Sequence, residues 1–171
     1  MVIQNLLRKL KQTPMSLKTL GTLLPSYATT VTYDQIKGKH RSQVFGKHKC
    51  VVMLIPSKFS KIGHFVVLLR RVKSIEYFSS LGGSPYSELK RLGQQGTDEF
   101  KKLLGSNFVY NSKPLQSKSS DIHDCALFCL ARIKLHELKL ADFQKMFNRS
   151  IHLRTADDIV GMMTILLVSE L

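Results

Sequence analysis

At 171 residues, 43% hydrophobic and 22% charged, the chain has the composition of one globular domain with a continuous core, which excludes a disordered protein. Its 26 Lys and Arg against 12 Asp and Glu leave a net charge of +14, an excess that bears on partners rather than on fold and points to a polyanion, nucleic acid ahead of an anionic membrane. No arginine-rich repeat, zinc-finger spacing or RNP-like aromatic motif accompanies the charge, so contact with double-stranded DNA is expected to be to phosphate and indifferent to sequence.

Three cysteines, Cys50, Cys125 and Cys129, argue against a disulfide framework and for a reducing compartment. Cys125 and Cys129 stand one helical turn apart with no second pair to complete a zinc site, and no metal is expected. The start, MVIQNLLRKLKQTP, is too short in apolar length for a signal peptide, and the apolar stretch DDIVGMMTILLVSEL falls short of a membrane span. A soluble, intracellular protein is expected.

In chain order, Val2, Ile3, Leu6, Leu7 and Leu10 mark one face of a short basic helix that Pro14 ends. From Pro14 to about Lys49 the sequence is turn-rich and without clear periodicity, a functional loop or a pair of short helices. CVVMLIP (Cys50 to Pro56) is a continuous apolar run with β-branched residues, as in a buried central strand. GHFVVLLR (Gly63 to Arg70) and SIEYFSS (Ser74 to Ser80) predict two further strands joined by a short connection. After the glycines of LGG, Pro85 opens a helix that runs, interrupted near Gly93, to Leu104. NFVYN (Asn107 to Asn111) predicts a fourth strand and SKPLQSKSS a loop. Apolar residues at Ala126, Leu127, Leu130, Ile133 and Leu138 predict a helix. LADFQKMF and TADDIVGMMTILLVSEL predict two more, the last capped by Thr155 or Asp157. The fold class expected is α+β, one domain over residues 1–171 with a mixed or antiparallel sheet packed by helices.

Cys125 follows SSDIHD, a run of helix-start residues, so it falls in the first turn of its helix. There the free N–H groups favour a thiolate, the nucleophilic form of cysteine. On position alone, a small residue on an apolar helix is more often packing. His64 sits beside Gly63 at the edge of an apolar strand, where it can project into a cleft while Phe65 and Val67 alternate into the core. His123 and His152 are its rivals. Gln116, in the loop before Cys125, can donate from its amide to a developing oxyanion together with the Cys125 N–H.

The order of these parts resembles the adenovirus-type cysteine proteases, whose fold is shared with the SUMO-specific proteases. It reads CVVMLIP, GHF, YFSSLGGSP, VYNSKPLQ and DCALFC, covering roughly Cys50 to Arg132. The SLGG-P-EL flavour and the later ADDIV look most like maturation proteases of polintons and virophages. The resemblance implies a cysteine proteinase-like fold with His64 and Cys125 as the catalytic pair and Gln116 in the oxyanion hole. Two positions depart from the family pattern. Phe65 stands where Trp is usual, and Ser79 stands where an Asp or Glu orients the histidine. A serine hydroxyl can accept the imidazole N–H but carries no charge. Glu76, three residues away on the same strand, falls on the opposite face; Asp121 and Asp124 are near the nucleophile in sequence and could reach the site, though nothing in the sequence shows that they do. A Cys–His dyad assisted by Ser79 is therefore expected.

The function so implied is a cysteine endopeptidase, cleaving after small, Gly-containing residues and processing viral capsid or core precursors in the virion and the host-cell interior during assembly. No cofactor is required; DNA is a candidate activator, and a monomer is expected. The basic segments KGKHRSQVFGKHK and LRRVK supply the DNA-contact candidates Lys37, Lys39, Arg41, Lys47, Arg70, Arg71 and Lys73. Two alternatives stay open: a protease removing ubiquitin-like or SUMO-like modifiers, and an inactive DNA-binding relative, which Ser79 supports best.

Overall fold

The computed structural model describes residues 5, 8–9, 11–117, 123–148 and 155–168. The apolar face of the N-terminal helix (Val2, Ile3, Leu6, Leu7, Leu10), Asp121 and His152 lie outside the described residues.

A five-stranded mixed sheet organises the chain, with strands in sequence order from edge to edge. β1 (Ala28–Thr32) runs parallel to β2 (Cys50–Ile55); β2, β3 (His64–Arg70) and β4 (Ile75–Phe78) are antiparallel neighbours; β5 (Phe108–Tyr110) returns parallel to β4. Each parallel pair needs a crossover. The first passes through a 3-10 turn, Tyr33–Ile36, and α2 (Arg41–Phe45), after a short α1 (Leu17–Thr22). The second passes through α3 (Pro85–Arg91) and α4 (Asp98–Leu104), which Gly93, at φ +73°, separates. The sequence alone read the tract from Pro14 to Lys49 without periodicity; β1, with its Thr-rich ATTVT, is the strand it hid.

Both faces of the sheet are covered, and this is why β2 is apolar throughout. Cys50 and Val52 face one core, with Phe65, Val67 and Leu69 of β3; Val51, Met53 and Ile55 face the other, with Val66 and Leu68. The first core is filled by α5 (Cys125–Lys134), α6 (Leu140–Asn148) and α7 (Ala156–Val168), the second by the crossover elements, through Phe45, Leu89, Phe100 and Leu104. α5 is buried from Cys125 to Ile133, including Arg132. That guanidinium is not left unpaired: it holds Glu76 through Nε at 2.7 Å and Nη2 at 3.1 Å, and it donates to the carbonyls of Leu135 and Leu138. A buried arginine so satisfied locks α5 to β4, and removing its acid would strand a charge in the core. Among the described residues no helix is long and apolar enough to cross a membrane.

Candidate active site

β3 begins at His64, opposite Ile55 of β2, where the sheet opens into a cleft of about 950 Å³. His64, Cys125 and Gln116 all line this cleft, with Gly82 on its wall. Ser79 sits behind His64, just past the end of β4.

Cys125 is the first residue of α5 and is 9% exposed. The backbone N–H groups of Phe65, next to His64, and of Ala126 pull its pKa down. These donors favour the thiolate, but burial outweighs them and pushes the thiol up to about 11. Burial thus opposes the thiolate that the helix start favours. Cys50 and Cys129 are completely buried and their thiols are pushed up too, in both cases chiefly by burial. They pack the core, Cys50 from β2 and Cys129 from α5 itself.

His64 is buried, and burial lowers its pKa against the opposing pull of Glu88. Its Nε2 lies 3.0 Å from Ser79 Oγ and 3.2 Å from Glu88 Oε1. The Ser79 hydroxyl donates to Glu88 Oε1 at 2.8 Å, so its oxygen is the acceptor for an Nε2–H. This assigns the proton to Nε2 and leaves the Nδ1 lone pair as the basic site.

Glu88 is the residue that sequence reasoning did not find. It comes from α3, not from the strand that carries Ser79, and its carboxylate also accepts from Tyr77 OH and from Arg91 Nη2, at 3.2 Å. One signal for it was present. Pro85, Glu88, Leu89 and Leu92 share the helical spacing of a buried face, and a carboxylate on such a face needs a partner inside. Ser79 is thus a bridge between imidazole and carboxylate, with a charge directly behind it. Asn111 pins the bridge: its Oδ1 accepts Ser79 N–H at 3.0 Å and its Nδ2 donates to Ser79 O at 2.6 Å. Glu76 faces away, paired with Arg132 and Arg71.

Gln116 is held to the neighbouring residue, Ser80. The Ser80 hydroxyl donates to Gln116 Oε1 at 2.6 Å, and Ser80 O accepts the N–H groups of Leu115 and Gln116 at 2.8 and 2.9 Å. With Oε1 engaged as acceptor, the donor end of the amide is the Nε2 group. His123 also lines the cleft, and its N–H bonds to Lys11 O.

The basic candidates divide by what their side chains touch. Lys37, Lys39, Lys47, Arg70 and Lys73 are exposed. Arg70 lies over the Phe45 ring and its Nη2 donates to Gly46 O at 3.5 Å. Arg41 is spent on the carbonyls of Leu103 and Lys102, and Arg71 on Glu76 and the carbonyls of His136 and Leu138. No group of three or more His, Cys, Asp or Glu among the described residues is placed to hold a metal ion.

No family model matches the chain. It is 29% identical over 157 residues to an uncharacterized protein, V9, of Sputnik virophage, covering 84% of this chain and 89% of that protein. Among solved structures it is similar to the SUMO protease Ulp1 with its catalytic cysteine oxidised to a sulfinic acid (13% identity, TM-score 0.44, 96% of this chain and 84% of that one). It is also similar to the C-terminal Ulp1 protease domain in complex with Smt3, the yeast orthologue of SUMO (13%, 0.45, 97% and 82%). A third is the central domain of an uncharacterized Legionella pneumophila protein (14%, 0.47, 92% and 97%).

Proposed function

We propose that the chain is a cysteine endopeptidase in which Cys125 is the nucleophile, His64 the general base and acid, Glu88 with Ser79 the group that orients and charges the histidine, and Gln116 the oxyanion donor. The observation that carries this reading is the buried relay from Glu88 Oε1 through Ser79 Oγ to His64 Nε2, on the same cleft as a cysteine at a helix start. A core has no use for a histidine fixed in one tautomer beside a carboxylate; a base that must accept a thiol proton does.

The chemistry follows from the resting protonation. With the thiol raised and the histidine lowered, the free pair is a neutral thiol and a neutral imidazole. As Sγ attacks the peptide carbonyl carbon, its proton passes to Nδ1, and the imidazolium is stabilised through Nε2–H by Ser79 and Glu88. The carbonyl oxygen, now an oxyanion, takes hydrogen bonds from Gln116 Nε2 and the Cys125 N–H. His64 returns the proton to the leaving amine, and water, deprotonated by His64, hydrolyses the thioester.

The substrates we propose are viral capsid or core precursors cleaved after small residues. The motif resemblance and the similarity to a virophage protein support this setting. The +14 charge supports non-specific binding to packaged double-stranded DNA. The serine in the acid position was the best argument for an inactive relative, and Glu88, which accepts the hydrogen bond of that serine, weighs against it. The test is hydrolysis of Gly-containing peptides and of particle precursor proteins by the wild type, Cys125→Ala and His64→Ala. Cleavage by the wild type alone is expected. Equal cleavage by wild type and Cys125→Ala, or none by either with or without DNA, would refute the reading.

A further inference from the structure

One buried acid beside the site takes no part in the relay. Asp124 directly precedes Cys125 and is fully buried, and no other described residue donates a hydrogen bond to either of its carboxyl oxygens. What its side chain meets is a second carboxyl, that of Asp157 in the first turn of α7, itself 3% exposed. Two carboxylates in contact repel; they hold together only when one is protonated and donates to the other.

The charges around the pair do not remove this need. From the N-terminal segment, Lys11 is the cation in reach, but its Nζ is bonded to Asp158 at 2.6 Å. On α7, Asp158 adds a like charge; on α5, the Cys125 thiol is neutral and adds none. Burial first, and Asp157 second, push Asp124 up to about 8, and burial raises Asp157 as well.

Asp157 also reaches the other half of the site. Its two carboxyl oxygens accept the Ser117 N–H at 3.1 and 3.3 Å, one residue beyond Gln116. Contacts therefore run from the residue before the nucleophile, through Asp157, to the residue after the oxyanion donor.

We propose that Asp124 and Asp157 are a proton-sharing carboxyl pair that clamps the Gln116 loop to the start of the nucleophile helix, with Asp157 a positioning residue for the oxyanion hole. The positioning role rests on the reading of Gln116 given above; the shared proton does not. The folded pair keeps a proton that the unfolded chain releases in the ordinary carboxylate range. The stability it contributes is therefore full at low pH, declines as pH rises above that range, and is lost by about pH 8. Above that pH two buried charges face each other and the Ser117 contact loosens.

Asp157→Asn separates the clamp from its proton, because the amide Nδ2 can donate to an ionised Asp124 while Oδ1 still accepts Ser117 N–H. The experiment is infrared spectroscopy of the whole protein for the carbonyl band of a protonated carboxyl, with melting temperatures and kcat from about pH 6 to about pH 9. The wild type should show the band at the low end and lose it with rising pH, with its melting temperature falling in step. Asp157→Asn should lack the band and keep a flatter melting profile. In kcat, the alkaline decline of the wild type should move to higher pH in Asp157→Asn. Asp157→Ala should lower kcat about tenfold below about pH 8 with little change in KM, and its difference from the wild type should shrink above that pH. Absence of the band in the wild type, or superimposable melting profiles for wild type and Asp157→Asn, would overturn the shared proton. An unchanged alkaline limb in Asp157→Asn would overturn the positioning role. Failure of the wild type to cleave any peptide would instead strike the protease reading, while band and melting profiles still decide the pair.

Discussion

Glu88 and Glu76 are both buried carboxylates paired with arginine, and they should fail in different ways when neutralised. Glu88→Gln removes a charge that raises the His64 pKa, so the acid limb of kcat/KM, already below the ordinary 6.5 of histidine, should move to still lower pH. The same change should lower kcat about ten- to a hundredfold, because the imidazolium loses its counter-charge. Glu76→Gln leaves Arg132 without its acid and should cost about 3–5 kcal/mol in urea unfolding, with the acid limb unmoved. Gln116→Ala should reduce kcat roughly a hundred- to a thousandfold with a smaller effect on KM. At this scale the sequence identified His64, Cys125 and Gln116 as candidates from residue type, local context and order. It left the charge behind Ser79 unread because Glu88 reaches the site only through the fold-back of α3 onto the end of β4.

That fold-back depends on the turn between β4 and α3. Gly82 stands at φ +66°, its N–H bonded to Ser79 O, and a Cβ there would lie 2.5–2.7 Å from the backbone of Lys113 and Pro114. The segment it would displace leads directly to Gln116. Gly82→Ala should therefore destabilise the protein by about 1–3 kcal/mol and lower kcat together, measurable by thermal unfolding and peptide hydrolysis. Elements with a strong period or a sharp stop were legible: the apolar run of β2, Pro85 at the start of α3, the break at Gly93 and the Thr155 cap of α7, whose Oγ1 accepts the Asp158 N–H. β1 was not, because its identity as a strand comes from pairing with β2 rather than from its own ATTVT pattern.

Across the whole molecule, the sheet separates two ends. His64 opens β3 at the cleft, and Arg70 closes it roughly 20 Å away at about 3.3 Å per residue. Lys47, Arg70 and Lys73 are exposed near that end, so if the proposed DNA contact is made there, the cleft stays open to a polypeptide. Replacing these residues together by Glu should weaken duplex DNA binding and reduce the dependence of log K on log salt by about 2.7, with hydrolysis of a short peptide unchanged; binding titrations across a salt series check this. The net charge was plain in composition, but which cations are available was not. Arg41 and Arg71 are consumed by internal carbonyls and Glu76, contacts that only the packed chain creates.

The central claim is that the buried relay makes Cys125 a nucleophile, and the most direct measurement is its alkylation rate followed by mass spectrometry alongside Cys50 and Cys129. Exposure alone would favour Cys125, so the comparison that matters is among wild type, His64→Ala and Glu88→Gln at the same pH. The account predicts fast alkylation of Cys125 in the wild type, slower in Glu88→Gln and slowest in His64→Ala, with Cys50 and Cys129 slow throughout. Equal Cys125 rates in the three proteins would contradict it.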